Sequence, residues 1–215
     1  MRERYMHQLK QLNDLLIQMG QMVEHAIELA INALNSQDEE KAKEVISYDE
    51  EVDEKEKEIE QLCLKLLLCQ QPVAKDLRFI SAALKMVTDL ERIGDHASDI
   101  AELVIFLSKN PYINNLDYIK QMAAETTDMV IRSINAYVEN DVKGAKQVIA
   151  HDDVVDELFI SVKDELVRLI HEDVNNGEQA TDLLMVAKYF ERIGDHATNI
   201  AEWVIFSVTG EKGKG

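Results

Sequence analysis

The chain has 215 residues, with 41 acidic against 23 basic side chains and a formal net charge of −18. That balance repels nucleic-acid phosphates and anionic lipid headgroups, which excludes direct binding to DNA, RNA or a bare membrane and favours cations or a basic patch on a partner protein. With two cysteines six residues apart (Cys63, Cys69), no signal peptide after Met1 and no membrane-spanning apolar run, the chain reads as cytoplasmic, reaching the inner face of a membrane only through partners.

A hydrophobic content of 46% with two prolines and eight glycines suits an all-α protein. From Arg4 to Leu34, apolar residues recur at helical spacing (Leu9, Leu12, Leu16, Met19, Val23, Ile27, Ile31) and predict one long amphipathic helix. Asn35 to Glu40 supplies a turn and an N-cap, with acids in the first turn where the helix dipole favours them. A second helix runs to Leu68 through Val45, Val52, Ile59, Leu62 and Leu66, until Gln70-Gln71-Pro72 breaks it, and a third ends at Leu107. Ser108-Lys109-Asn110-Pro111 and Asn114-Asn115 are the strongest punctuation and divide the chain into residues 1–110 and 111–215. Helix four spans Leu116 to Val138, Glu139-Asn140-Asp141 turns, and helix five spans Val142 to Glu172. Asn175-Asn176-Gly177 turns again, helix six ends near Thr209-Gly210, and Glu211 to Gly215 reads as a disordered tail. Met19, Met22, Met86, Met122, Met185 and Trp203 are assigned to the core.

The chain contains one stretch twice. Glu91-Arg92-Ile93-Gly94-Asp95-His96-Ala97 reappears as Glu191-Arg192-Ile193-Gly194-Asp195-His196-Ala197, and from Glu91 to Phe106 only Ser98/Thr198, Asp99/Asn199 and Leu103/Trp203 differ. Ile31-Asn32-Ala33 likewise matches Ile134-Asn135-Ala136, and Asp49 to Asp53 matches Asp152 to Asp156. The pattern predicts an internal duplication, each half an antiparallel three-helix bundle, with helices of roughly 30 residues and 45 Å.

Helical positions four apart lie about 40° apart, so Glu91, Asp95, Asp99 and Glu102 fall within an arc of about 80°. Like charges at this spacing destabilise a helix by a few tenths of a kcal/mol each. An oxygen-only cluster suits hard cations or Fe³⁺- and Mn²⁺-type ions, which relieve the repulsion. Asp49, Asp53, Glu56 and Glu60 form a similar stripe on helix two. On helix five Asp152 and Asp156 remain, while Phe159 and Lys163 replace the later acids and Asn199 replaces Asp99 on helix six, so the second half is expected to bind metal less strongly. The apolar residues of helix three centre opposite its acids, which predicts carboxylates facing away from the core in a surface cluster shared between neighbouring helices. Gly94 and Gly194 interrupt helices where Gly costs about 1 kcal/mol relative to Ala, which points to a close approach or a packing notch. His96 and His196 flank the stripe, more as hydrogen-bond partners than as ligands.

The doubled Glu-Arg-Ile-Gly-Asp-His-Ala motif in tandem three-helix halves resembles the PhoU family, together with Asp76-Leu77-Arg78, Asp89-Leu90-Glu91 and Ala201-Glu202-Trp203-Val204-Ile205-Phe206. The resemblance implies two three-helix bundles side by side and a negative regulator of phosphate uptake. It implies a homodimer that connects the ATPase subunit of the phosphate-specific ABC transporter to a sensor histidine kinase. It further implies surface iron or zinc held by Glu91/Asp95 and Glu191/Asp195, with Asp49/Asp53 and Asp152/Asp156 as facing pairs and Asp99 and Asn199 beside them.

Two other readings compete. A di-iron carboxylate oxidase needs Glu-x-x-His on inward helix faces, and no histidine in this chain has a Glu three residues before it. Phosphate-cradling glycine loops, His-Glu-x-x-His and a nucleophile elbow are likewise absent from the sequence. A purely structural oligomeriser would leave the acids solvated and bind no ion.

Overall fold

The computed structural model describes residues 2–69 and 73–211, so the predicted break at Gln70-Gln71-Pro72 and the tail after Glu211 lie outside the described residues. The described chain is six α-helices: α1 (Arg2–Ser36), α2 (Glu39–Cys69), α3 (Ala74–Leu107), α4 (Asp117–Glu139), α5 (Val142–Glu172) and α6 (Gly177–Thr209). Local chemistry sets several of their ends. Asp38 Oδ1 accepts from the backbone N–H groups of Glu40 (3.0 Å) and Lys41 (3.2 Å), and Asp141 caps α5 by accepting from Lys143 N–H. Asn140 and Gly210 close α4 and α6 in the left-handed conformation.

Three local expectations need correction. Gly177 does not turn the chain: it opens α6 with φ −58°, and a 3₁₀ turn at Val174–Asn176, held by Asp173, makes the corner. Leu116 is not helical but precedes α4 with φ 58°, a conformation that buries its side chain to 2% exposure. Met185 is exposed on α6, whereas Met22 and Trp203, both half-buried, do pack against the core, Trp203 edge-to-face with Phe206 at 5.8 Å.

In each half the apolar stripes converge as an up-down bundle, α2 packing on α1 and α3, and α5 on α4 and α6. The halves meet through α3 against α6 and α1 against α4, so one continuous core runs through both. Fully buried side chains such as Leu12, Ile59, Ile93 and Phe190 each contribute about 1.5–3 kcal/mol of burial. Gly20 admits α4: a Cβ there would stand 2.8 Å from Ile134 Cδ1.

α3 and α6 run antiparallel. His96 meets Tyr189, His196 meets Asp89, and Gly210 at the end of α6 lies against Arg78 near the start of α3. An approximate two-fold axis therefore passes near the middle of both signatures, where the His96 and His196 rings are 5.6 Å apart. The connection between the halves is held from both sides. Gln37 Nε2 donates to Leu107 O (3.0 Å) and Asn110 O (2.8 Å). Gln179 donates to Pro111 O and accepts from Ile113 N–H.

Candidate metal centre

Val52 and Ile59 of α2 are buried, as are Leu90 and Ile93 of α3, and this packing draws the acidic positions beside them into the α2/α3 seam. Gly94 sets how closely the two helices approach, since a Cβ there would lie 3.0 Å from Val52 Cγ1 and 3.4 Å from Asp49 Oδ1. The result gathers Asp53, Glu91 and Asp95, each offering an oxygen within 4.8 Å of the others. The stripe is thus less exposed than its position opposite the core apolar face suggests. It lines a seam, and its inner oxygens are buried.

Two of those oxygens, Asp49 Oδ1 and Glu91 Oε2, have no hydrogen-bond partner. Arg92 is the neighbouring cation; its Nε is 3.4 Å from Glu91 Oε2, while its NH1 donates to Asp95 Oδ2 at 2.6 Å. Burial, then crowding by Asp95, Asp53 and Asp99, pushes the Asp49 carboxyl up to about 6. Burial and Asp95 push Glu91 up to about 7 against the opposing pull of Arg92. Glu56, half-buried beside them, is raised by burial and by Glu60 and Asp53. Carboxylates that resist ionisation for these reasons lack positive charge. The donors are all oxygen, a set matched to a hard cation and less to zinc, which prefers nitrogen and sulfur.

Not every predicted residue joins this group. Asp99 Oδ2 lies 3.1 Å from His96 Nδ1, although its charge still crowds Asp49. His96 itself is buried against the other half, stacked on Tyr189 at 5.5 Å, and desolvation lowers its pKa. Glu102 is exposed.

The second seam, between α5 and α6, repeats the layout with different partners. Burial and neighbouring acids push Asp152 up to about 6 and raise Asp195. Asp156 and Asp195 stand on the exposed side. The buried Oε2 of Glu191, however, meets the Lys188 ammonium, which also sits 5.3 Å over the Phe159 ring. Among the described residues, the grouping of three oxygens found in the first seam has no counterpart here. Asn199 turns away from Asp152 altogether. Its Nδ2 donates to Asp89 Oδ1 of α3 (3.1 Å), the same oxygen that His196 Nδ1 approaches at 2.9 Å.

The sequence pattern assigned no site role to Asp89, which it noted only within Asp89-Leu90-Glu91, and none to Lys188. Lys188 could have been found from its place three residues before Glu191, where the first half has Thr88. Asp89 carries no local signal, because its partners are on α6.

Comparison with known proteins fits this architecture. The family model described as the PhoU domain matches twice, at residues 16–104 and 119–204. The chain belongs to the PhoU family. A PhoU homolog from Clostridium acetobutylicum, named a phosphate-specific transport system accessory protein, is 40% identical over 205 residues, 95% of this chain and 94% of that protein. A homolog of the same name from Aquifex aeolicus is 40% identical over 185 residues, 86% of this chain and 84% of that protein. The crystal structure of PhoU from Pseudomonas aeruginosa superposes with a TM-score of 0.93 at 33% identity, covering 96% of this chain and all of that one. The two PhoU matches coincide with the two bundles, each carrying one copy of the signature.

Proposed function

We propose that this chain is a non-enzymatic accessory regulator of phosphate uptake, a metal-binding adaptor between the phosphate-specific ABC transporter and a sensor histidine kinase. It docks on the transporter's ATPase subunit, restrains uptake and acts as a homodimer in the cytoplasm. The observation that carries this reading is the near full-length match to proteins named phosphate-specific transport system accessory proteins. The acidic surface adds support, since a net charge of −18 suits basic patches on partner proteins.

Asp49, Asp53, Glu91 and Asp95 would hold the ion, and their all-oxygen chemistry favours iron or manganese over zinc. The ion would supply positive charge at the α2/α3 seam, tie the two helices together and order one docking face. Ligand-linked stabilisation would raise the melting temperature as metal is added.

The test is affinity capture of the tagged chain from phosphate-replete cells, with elemental analysis of protein purified without chelator or affinity-column metal. Recovery of the transporter ATPase and the kinase, with bound ion, supports the proposal. Recovery of neither partner sinks the adaptor role. Protein without bound ion, whose melting is unmoved by Fe³⁺, Mn²⁺ or Zn²⁺, favours a structural oligomeriser.

A further inference from the structure

The two seams differ in what faces the inner oxygen of the signature glutamate. Glu91 Oε2 and Glu191 Oε2 are both buried without a hydrogen bond of good geometry, so the difference lies in the cation. At Glu91 it is Arg92, 54% exposed, with Nε 3.4 Å away and NH1 committed to Asp95. At Glu191 the same oxygen meets Lys188, one turn earlier on α6, whose ammonium lies over the Phe159 ring of α5. A lysine placed between a carboxylate and an aromatic face has both of its favourable partners at once. Arg192, the counterpart of Arg92, lies instead over the Tyr189 ring at 5.9 Å. Equivalent positions in the first half are Thr88 for Lys188, Glu56 for Phe159 and Glu60 for Lys163, so each replacement makes the second seam less negative.

We propose that Lys188 is a built-in cation that fills the Glu191 corner of the second seam, leaving the duplicated fold with one ion-binding centre and one centre neutralised by a tethered ammonium. The inference rests on the metal-binding reading above and refines it. A tethered cation is present at fixed local concentration whatever the metal supply, so the α5/α6 seam holds its structure independently of the ion. The α2/α3 seam, whose cation Arg92 is 54% exposed, bonds mainly to Asp95 and has no aromatic face to hold it among the described residues, responds to the ion. One half is then a constant frame and the other carries the signal. Asp152 and Asp156 remain beyond the ammonium's direct contact, which leaves a weak residual site.

Mn²⁺ titration of the chelator-stripped full chain tests this, followed by calorimetry and by the paramagnetic signal of free Mn²⁺. Circular dichroism confirms that each variant folds. The wild type is expected to show one tight phase, which Asp95→Asn removes. Lys188→Thr and Lys188→Met, the second keeping an apolar stem over Phe159, each add a second phase. That phase is about tenfold or more tighter than residual wild-type binding at the second seam, and adding Asp195→Asn removes it. Thr88→Lys weakens the first phase by about tenfold. Two equal phases in the wild type, or Lys188 variants with unchanged stoichiometry and affinity, overturn the inference. A wild type without Mn²⁺ binding whose Lys188 variants gain it would remove the metal-binding reading yet uphold the role of Lys188. No binding in any of these proteins would end both.

Discussion

Glu91→Gln offers the sharpest test of the charge crowding at the first seam. The glutamate side chain is 14% exposed, and its carboxyl is pushed from 4.5 up to about 7 by burial first and Asp95 second. A proton therefore binds the folded state more tightly than the unfolded one. The stability this contributes is fully present below the unfolded value near 4.5 and is lost as pH rises through about 7. At about 1.36 kcal/mol per pH unit, the metal-free wild type at pH 8 forfeits as much as about 3 kcal/mol from this group. Glutamine keeps the shape without the charge. In chelator at about pH 8, Glu91→Gln is expected to be more stable than wild type by about 1–3 kcal/mol, or about 2–4 °C in melting temperature per kcal/mol for a chain of this size. Near pH 5 most of that gap closes, because the folded glutamate is then protonated. Added Mn²⁺ reverses the order at pH 8, since the wild type gains ligand-linked stability and the variant lacks a donor. Urea denaturation followed by far-UV circular dichroism measures each arm. A variant less stable than wild type at pH 8 in chelator would show that Arg92 already compensates the Glu91 charge, and the argument for an ion would lose its electrostatic basis.

Three other substitutions probe separate parts of the structure. Gly194→Ala is expected to stabilise the protein by about 0.5–1 kcal/mol. Its added Cβ would stand 3.5–3.6 Å from Asp152, Thr126 and Val155. Gly94→Ala forfeits that gain against Val52 Cγ1 at 3.0 Å, and the reverse order of denaturation midpoints would refute the packing argument. Asp95→Ala should lower the metal content of purified protein more than Asp195→Ala does, and equal losses would show that the two seams bind alike. Asn199→Asp would replace the donor to Asp89 Oδ1 with a second carboxylate, costing about 0.5–1.5 kcal/mol for this solvent-exposed bond. An unchanged denaturation midpoint would remove that hydrogen bond from the account.

Periodicity and punctuation carry most of the fold. Helix α5 follows its predicted limits, Val142 to Glu172, because Asp141 caps one end and the apolar stripe runs unbroken between. Local signals err by a residue or two where a neighbouring cap sets the corner, as Asp173 does before α6. Asn175-Asn176-Gly177 reads as a turn, yet the corner falls just earlier and leaves Gly177 helical. The carboxylate stripe is equally legible, since Glu91 and Asp95 share a face by helical geometry alone. What the period cannot say is which neighbour each part of that face meets. Helix α3 packs against α1, α2 and α6. The rotation of about 80° from position 91 to position 99 is enough to carry a side chain from the α2 seam toward the α6 seam. Asp99 and Asn199 therefore leave the expected ligand sets for bonds to His96 and Asp89. The pairing of Lys188 with Glu191 is legible from their spacing on one helix, but the Phe159 ring across the seam is not.

The antiparallel pairing of α3 with α6 also explains why both signature copies persist while their flanks diverge. Near a two-fold axis, each residue of a duplicated helix faces its own copy or the copy of a near neighbour. Apolar positions tolerate this: Ile93 and Ala97, close to the axis, are buried, and so are Ile193 and Ala197. Charged positions do not, because an acid near the axis meets another acid. Here the conflict is avoided by breaking the symmetry. His196 takes its carboxylate from Asp89 across the interface, whereas His96 takes one from Asp99 on its own helix. Tyr189 stands where a second Asp89 would be and stacks on His96. Asn199 then donates to the Asp89 oxygen that an aspartate would repel. The change from Asp99 to Asn199 thus has a cause in the packing between halves, independent of any ion. The glutamates and aspartates of the two motifs answer to a different demand, the charge at each outer seam, and there the halves differ through Lys188 and Phe159. Identity of the repeated letters therefore reports a shared packing requirement, while the charge balance of each outer seam is set by residues outside the repeat.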